Sequence, residues 1–273
     1  MMTLHEERRP SVIRVETWEQ AEQMLLELEA EYSDRHVGVW FRGHSAAAWE
    51  LTTTLERRGA RPWSVSDYYH LIYTIKPEIE AYTETEWKMP TMPEIDEWAR
   101  EYDRFTSFAP MAYSYLVHPR HHGFPSPLLD WSRSPYVAAH FAFVRATEID
   151  DVAIFVYSER PASFKIGGSD SPYIVAPGPI VSTHRRHFLQ QSRYTICVKY
   201  IDSEWMYMPH QAVFRMEGRT QNFLWKIIIP GSERRKVLNV LDRFNLNQFT
   251  LFGSEESLME MLAIRRIDLQ SFR

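Results

Sequence analysis

The first group of side chains that could do chemistry is Phe41-Arg42-Gly43-His44. Residues 37–41 are apolar, β-branched and aromatic, which predicts a short buried strand that ends at Gly43. An arginine at the end of such a strand must pair with a carboxylate or point into a cleft, because burying an unpaired charge is costly. A planar guanidinium also matches the geometry of phosphate and pyrophosphate. Arg42 is therefore predicted to be either a structural ion-pair partner or a ligand for an anion.

The second group lies between residues 118 and 134, where histidine, proline, serine and aspartate are concentrated. One interpretation is a metal site, with His118, His121, His122 and Asp130 as ligands. These residues lack the helical spacing of the His-Glu-x-x-His motif. The metal site would make the chain a metal-dependent hydrolase.

The same segment also fits the wall of a nucleotide pocket. Its candidates are the indole of Trp131 and the hydroxyls of Ser132 and Ser134. Ser134 followed by Pro135 is in addition typical of a helix start, because serine caps the first turn and proline is favoured at the first helical position.

The third group, at residues 184–195, is basic within a chain whose net charge is −5. Its polar members are His184, Arg185, Arg186, His187, Gln190, Gln191, Ser192 and Arg193. A basic loop beside a pocket suits an anionic ligand. A solvated surface loop is the alternative interpretation.

Hydrophobic periodicity and capping signals predict the elements that position these groups. Helices are expected at residues 17–32, 64–86, 94–116, from 134 onward, 232–244 and 254–266, and strands at 37–41, 151–157, 194–200 and 224–229. Residues 88–93, 118–130 and 167–179 are expected to be loops, and residues 249–252 a short extended piece. Helices therefore dominate the first half, and the fold class is predicted to be α+β with a mixed or antiparallel sheet and an N-terminal helical portion.

Length and composition narrow the class of protein. The 273 residues are within the range of a single domain, and the acidic net charge of −5 argues against broad non-specific DNA binding. Cys197 is the one cysteine, so no intramolecular disulfide forms. No run of 18 apolar residues and no apolar signal core near the N-terminus is present. A cytoplasmic location with no membrane contact is expected.

Together these segments resemble the FRG-domain family. Phe41-Arg42-Gly43-His44, with Trp49, Leu51 and Leu55, is similar to the family's opening motif, residues 121–142 to its central motif and residues 190–195 to a third. The resemblance extends over roughly residues 12–263, so a single FRG domain spanning residues 1–273 is expected. Pro127 stands where the family usually has an arginine, and Arg133 is a candidate substitute.

The family pattern is similar in turn to ADP-ribosyltransferases of the arginine-serine-glutamate class, which implies their fold and NAD as substrate. On that resemblance the catalytic residues would be Arg42, Ser132, Gln190 and His122. NAD would be bound by Phe41, Arg42, Gly43, His44, Trp131, Ser132, Ser134 and Gln191. Gln190 or Gln191 lies where the class has its glutamate, and Glu204 and Glu217 are acidic residues downstream.

The resemblance implies an NAD-dependent ADP-ribosyltransferase acting as a toxin or effector of a bacterial defence or toxin–antitoxin system. Its acceptor would be a macromolecule, with nucleic acid, including RNA, favoured over protein, and an antitoxin protein is a further expected partner. A non-catalytic module that binds a nucleotide or a protein is the alternative, because a neutral amide stabilises developing positive charge less than a carboxylate does.

Overall fold

The computed structural model describes residues 11–33, 38–59, 61–101, 108–159, 171–178, 185–214 and 222–270. This part of the chain contains eight β-strands and ten α-helices. The predicted strand start at Val37, residues 167–170 and 179 of the predicted loop, and both His184 and Glu217 lie outside the described residues.

The strands are β1 (Ser11–Arg14), β2 (Val39–His44), β3 (Leu129–Ser132), β4 (Val152–Glu159), β5 (Tyr173–Val175), β6 (Ser192–Ile201), β7 (Glu204–Tyr207) and β8 (Asn222–Ile229). The helices are α1 (Trp18–Tyr32), α2 (Val65–Thr83), α3 (Met92–Arg100), α4 (Tyr113–His121), α5 (Pro135–Phe143), α6 (Arg186–Leu189), α7 (His210–Phe214), α8 (Arg234–Arg243), α9 (Gln248–Phe252) and α10 (Glu255–Ala263).

All eight strands belong to one mixed sheet, in the order β1-β8-β4-β2-β3-β6-β5, with β7 also paired to β6. β1 runs parallel to β8, and the other neighbours are antiparallel. The centre of the sheet is its weakest join, because β2 and β3 pair at one position only, Phe41 with Ser132. The fold is therefore mixed α/β with a mixed sheet, as expected at this coarse level.

Each half of the sheet has its own hydrophobic cluster. In one half, α1, α5 and α8 pack against β2, β4 and β8. The side chains of Phe41, Phe143 and Ile227 at the centre of this cluster are fully buried. In the other half, α2 and α4 pack against β5, β6 and β7 around Tyr69 and Ile196. A third cluster, around Trp40, Trp131 and Tyr157, packs at the β2–β3 join.

Local capping signals located several helix starts correctly. The Thr17 hydroxyl accepts a hydrogen bond from the Gln20 amide at the start of α1. Ser64 caps α2, and Ser134 caps α5 by accepting from the Val137 amide. These starts are set within one turn of chain, which is why the sequence alone suffices to place them.

Predictions of elements were wrong at five places. One is the loop expected at 167–179, where residues Tyr173–Val175 form β5 because they pair with β6. β2 continues through Gly43 to His44, because the whole segment pairs with β4. The single helix expected at 94–116 is instead α3, which begins at Met92, and a separate α4.

The loop expected at 118–130 is partly regular, since α4 extends to His121 and β3 begins at Leu129. The piece expected to be extended at 249–252 is helical, because Asn247 and Thr250 form a reciprocal cap at the start of α9.

Candidate functional site

A cavity of about 380 Å³ opens beside the single β2–β3 pair. Its described lining residues come from β2, β3, α4, α5, β6 and α9 and from the segments next to them. They are Phe41, Arg42, Gly43, His44, Ser45, Trp49, Arg57, Arg120, Asp130, Trp131, Ser132, Ala138, Phe141, Val144, Arg145, Gln190, Ser192, Gln248 and Phe252. The cavity thus gathers parts of all three groups identified in the sequence.

Arg42 is anchored where β2 and β3 separate. Its Nη1 donates to both the backbone oxygen and the Oδ1 carboxylate oxygen of Asp130, each at 2.6 Å. Its Nε donates to Nε2 of His44 at 3.0 Å. The side chain is 13% exposed, so these partners provide the hydrogen bonds and the negative charge that solvent cannot provide. Arg42 is both an ion-pair partner and a cavity residue, and the two interpretations of the sequence were not exclusive.

Asp130 bridges two guanidiniums. Besides Arg42, Nη2 of Arg120 lies 2.5 Å from the same Oδ1 oxygen. Loss of solvation would raise the pKa of Asp130, but the charges of Arg120 and Arg42 outweigh it and hold that pKa well below its ordinary value. Asp130 is therefore ionised at any physiological pH, and it fixes the spacing of the two arginines.

Positive charge prevails in the cavity lining. Arg57 and Arg145 join Arg42 and Arg120, whereas Asp130 is the one carboxylate among the described lining residues. Four arginines less one aspartate leave a formal charge of +3. Partial burial and the nearby charges of Arg42 and Arg120 lower the pKa of Arg57, which indicates that three guanidiniums are close together. Such an arrangement favours a ligand with more than one negative charge.

His44 is a neutral member of the lining. Burial and the charge of Arg42 lower the pKa of His44 to about 3. Its Nε2 is already the acceptor for Arg42. The imidazole therefore orients the guanidinium and does not hold a proton for transfer near neutral pH.

Ser132 and Gln190 lock the β3 side of the cavity. The Ser132 hydroxyl donates to the backbone oxygen of Gln190 at 2.7 Å and accepts from the Ser134 amide at 3.0 Å. The Gln190 side chain reaches the backbone oxygen of Leu251 through Nε2 at 3.2 Å. Ser132 thus positions the backbone that presents Gln190, and Gln190 connects the turn between α6 and β6 to α9.

The Trp131 indole lies behind the wall of the cavity. It is 3% exposed, and its ring is 5.2 Å from that of Tyr157 in the core. Its Nε1 donates to the Thr195 hydroxyl at 2.8 Å, which shares a 2.9 Å hydrogen bond with Nε2 of His210. Trp131 supports the wall and presents almost no surface to a ligand.

Gly43 lets helix α5 approach β2. A Cβ atom built on Gly43 would lie 1.9 Å from the Ala138 oxygen and 2.5 Å from the Ala142 nitrogen. The glycine is therefore required for packing of backbone against backbone, and this contact carries Phe141 and Arg145 to the cavity.

Two aromatic surfaces complete the lining. Phe141 and Phe252 contact each other edge to face, with ring centroids 6.0 Å apart. Trp49 is 53% exposed and lies 6.2 Å from the His44 ring. Apolar rings beside a cluster of guanidiniums are a combination that suits nucleotides, which carry both bases and phosphates.

Part of the chain that forms the cavity matches a known protein family. Residues 37–151 match the FRG domain family. The FRG match contains β2, Arg120, Asp130, Ser132 and the whole of α5, and it ends before β4. No curated protein and no solved structure matches the chain. No helix in the described part of the chain is long and apolar enough to cross a membrane.

Most, but not all, of the predicted site residues meet at the cavity. Within the FRG match, Phe41, Arg42, Gly43, His44, Trp131 and Ser132 line it, and Gln190 joins them from outside the match. His122, Ser134 and Gln191 do not line it. His122 is at the exposed end of α4, Ser134 caps α5, and Gln191 is exposed with a φ of 49°. Glu204 is on β7 and is not part of the lining either.

The second guanidinium of the FRG segment comes from Arg120 and not from Arg133. Arg133 is exposed and does not line the cavity, whereas Arg120 binds Asp130 from α4. Arg120 was not predicted as a site residue, because residues 118–130 were expected to be a loop. Its helical position, ten residues before Asp130, became visible only with α4 and β3 in place.

The histidines of the same segment do not form a metal site. Among the described residues, no group of three or more histidine, cysteine, aspartate or glutamate side chains is arranged to hold a metal ion. Instead, His121 shares a 2.6 Å hydrogen bond with the Tyr194 hydroxyl, and the rings of His118 and His122 lie 4.6 Å apart. The metal-dependent hydrolase therefore has no support in the geometry.

Proposed function

We propose that the cavity binds NAD and that the protein transfers ADP-ribose from NAD to a macromolecular acceptor. The observation that carries this proposal is the presence of four arginines and a single carboxylate among the described lining residues of a cavity that also presents exposed aromatic surface. NAD has the matching chemistry, namely a doubly charged pyrophosphate between two planar bases. The resemblance of the three sequence motifs to ADP-ribosyltransferases supports the same substrate.

Arg42 and Arg120 are the proposed pyrophosphate ligands. Arg42 uses Nε and Nη1 for His44 and Asp130, and within the described residues its Nη2 donates no hydrogen bond to the protein. Asp130 holds both guanidiniums at a fixed separation before any ligand arrives. Preorganised donors lose little conformational freedom on binding, which favours affinity for two linked phosphates.

The proposed reaction breaks the bond between nicotinamide and its ribose. Nicotinamide leaves with the bonding electron pair, and a nucleophile on the acceptor attacks the resulting oxocarbenium-like carbon and releases its proton. The Gln190 side chain and the Ser132 region would orient the ribose, and Asp130 is the carboxylate available to stabilise positive charge. Because two arginines already neutralise Asp130, slow turnover is expected.

A binding module without catalysis is the second candidate. It is favoured by one specific observation: the Oδ1 oxygen of Asp130 is paired with both Arg42 and Arg120, and no other carboxylate is among the described lining residues. In that case the cavity recognises an anionic nucleotide, and no nicotinamide is released.

Nicotinamide release from NAD separates the two candidates. Wild-type protein is incubated with NAD alone and with RNA, DNA or lysate protein, while NAD binding is measured by calorimetry. Arg42→Ala should abolish both binding and release, whereas Arg58→Ala, an exposed neighbour outside the cavity lining, should leave both unchanged. Binding without release would establish the module, and absence of NAD binding would refute both proposals.

The proposal extends to a toxin or effector whose acceptor is a nucleic acid in the cytoplasm. Arg185 and Arg186 begin the α6 segment that leads to Gln190, so basic side chains lie next to the proposed reaction site in the chain. Induced expression of the wild type should slow bacterial growth, and Arg42→Ala should relieve it. Label from NAD appearing on protein in preference to RNA or DNA would contradict a nucleic-acid acceptor.

A further inference from the structure

Trp49 is an exposed indole at a cavity whose other tryptophan is buried. Its exposed fraction is 53%, against 3% for Trp131. Both residues belong to the lining, but Trp131 is held by Thr195 and Tyr157 within the core. Large apolar side chains exposed beside a pocket commonly contact a ligand, because their burial is otherwise favourable.

The backbone around Trp49 is fixed by hydrogen bonds. The Trp49 amide donates to the Ala46 oxygen at 3.1 Å, and the Ala47 amide donates to the Asp151 oxygen at 2.7 Å. The Trp49 oxygen accepts from Nζ of Lys226 at 3.5 Å. These contacts tie the turn after β2 to the body of the sheet, so the indole is presented from a defined position.

Trp49 is also one ring away from the arginine cluster. Its indole lies 6.2 Å, edge to face, from the imidazole of His44, and His44 accepts from Arg42 Nε at 3.0 Å. A nucleotide whose phosphate contacts Arg42 is therefore long enough for its base to reach the Trp49 ring. The neutral state of His44, with a pKa lowered to about 3 by burial and by Arg42, adds no charge between Arg42 and the Trp49 ring.

We propose that Trp49 stacks against a planar base of the nucleotide whose phosphates the arginines hold. This inference rests on the proposed function only in taking the ligand to be a nucleotide, and it applies equally to the transferase and to the binding module. It transfers to Trp49 the role that the sequence suggested for Trp131. Stacking is sequence-tolerant and geometrically simple, because every base has an apolar face.

Paired ligands that differ by the base test the proposal. Affinities of ADP and inorganic pyrophosphate are measured by calorimetry for wild type, Trp49→Ala, Trp49→Phe and Tyr82→Ala. Tyr82, which is 91% exposed and lies outside the cavity lining, is the matched aromatic control. Circular dichroism and thermal melting verify that each variant is folded, which is expected because Trp49 is largely exposed.

The expected pattern is selective. Trp49→Ala should weaken ADP binding about 5- to 150-fold, equivalent to roughly 1–3 kcal/mol per stacked base, and leave pyrophosphate binding within about twofold. Trp49→Phe should retain most of the ADP affinity, and Tyr82→Ala should match the wild type. Repeating the series with AMP and with nicotinamide mononucleotide identifies which base Trp49 contacts.

Three other outcomes overturn the inference in distinguishable ways. If ADP and pyrophosphate bind and Trp49→Ala weakens neither, or weakens both equally, the stacking role is wrong and the nucleotide site stands. If the wild type binds pyrophosphate but gains nothing from the base of ADP, stacking is likewise refuted. If the wild type binds neither these ligands nor NAD, the proposed function fails together with the inference.

Discussion

Asp130 shows how one side chain can link the site to the stability of the fold. It is ionised between Arg42 and Arg120, and the three residues come from β3, β2 and α4. Removing the carboxylate charge leaves two partly buried guanidiniums facing each other, which is costly. The same residue therefore arranges the proposed ligand contacts and joins the two sides of the β2–β3 separation.

The first prediction concerns the pH dependence of stability in Asp130→Asn. The folded-state pKa of Asp130 is depressed, so its stabilising contribution is present above the unfolded pKa of roughly 3.9 and is lost as the pH falls toward the lower folded value. Asp130→Asn should thus be less stable than wild type at pH 7. The difference in free energy of unfolding, measured with urea, should shrink below about pH 4.

Asp67→Asn is the matched control for this experiment. Asp67 pairs with Arg61 at 3.2 Å, but both side chains are more than half exposed, at 52% and 58%. An exposed ion pair contributes little, so its removal should change the unfolding free energy slightly at either pH. A pH-independent difference for Asp130→Asn would mean that its effect does not come from the carboxylate charge.

The second prediction concerns Thr195, the hydroxyl behind Trp131. Thr195→Val keeps the shape but leaves the buried Trp131 Nε1 and His210 Nε2 atoms without their partner. Burial and the charge of Arg42 lower the pKa of His210 to about 3, so this histidine is neutral and gains no compensating charge. We expect a loss of about 2–4 kcal/mol in urea unfolding, from two unsatisfied polar groups.

Thr74→Val is the comparison, because the exposed Thr74 hydroxyl donates only within its own helix. Its cost should be within about 0.5 kcal/mol of zero. If both threonine variants lose the same unfolding free energy, the hydrogen bonds of Thr195 to Trp131 and His210 do not contribute to stability in the way proposed.

Residue types alone identified the polar members of the site but not their directions. Arg42, Ser132 and Gln190 were predicted from charge and motif, and all three line the cavity. Trp131 was assigned to the pocket wall because an indole suits a nucleotide, yet the four-residue strand β3 turns it toward the core. Which way a side chain on so short a strand points depends on pairing with β6, and pairing is not visible in a segment interpreted as loop.

At the scale of elements, the contact between α5 and β2 positions a large part of the cavity. Gly43 has the Ala138 oxygen and the Ala142 nitrogen directly against it. The helix, capped by Ser134, cannot withdraw without exposing Ala138, Ala142 and Phe143 of the core.

The third prediction is therefore that Gly43→Ala destabilises the protein by about 3 kcal/mol or more, because helix backbone cannot yield like a flexible side chain. Gly59→Ala is the matched control, since a Cβ atom there meets nothing within 4 Å and the φ of −160° suits any residue. Urea unfolding of the two variants gives the comparison. Equal stabilities would show that α5 can shift without cost, and NAD affinity should then also be unchanged.

Elements formed by contacts between residues close in the sequence were predicted better than elements formed by contacts between distant residues. Helices whose first turn carries its own cap, such as α1, α2 and α5, were predicted near their observed starts. Strands of three or four residues, including β1, β3, β5 and β7, were not. These strands exist because a neighbour pairs with them, and periodicity over so few residues is too short to register.

At the scale of the whole molecule, an acidic chain encloses a basic cavity. The net charge is −5, whereas the described cavity lining carries a formal +3. The site therefore attracts anions only at short range, inside the distance over which salt screens charge. The composition argued against broad polyanion binding and did not reveal that the cavity is positively charged. The arginines of the cavity are spread from Arg42 to Arg145 along the chain, so no short segment shows them together.

The fourth prediction follows from this local field. Raising salt from 50 to 200 mM should weaken pyrophosphate binding about three- to tenfold, as expected for a multiply charged ligand in a partly screened site. Arg57→Ala should reduce both the affinity and the steepness of the salt dependence, since Arg57 lines the cavity and is exposed. Calorimetric titrations at four salt concentrations provide the measurement. A salt-independent affinity would argue that the guanidiniums do not bind the phosphates.

The first strand of the sheet has a consequence for how the molecule is made. β1 pairs in parallel with β8, joining Ser11–Arg14 to residues 225–228, and β8 lies between β1 and β4. During translation β1 leaves the ribosome before β8, and the more than 200 residues between Arg14 and Asn222 must be made before the two strands can pair. Until then the edge of β4 that receives β8 is open, and an unpaired strand edge in an incomplete chain is prone to aggregation. A message truncated before the codon for Asn222 would therefore yield an unfinished sheet that aggregates, not a smaller working protein.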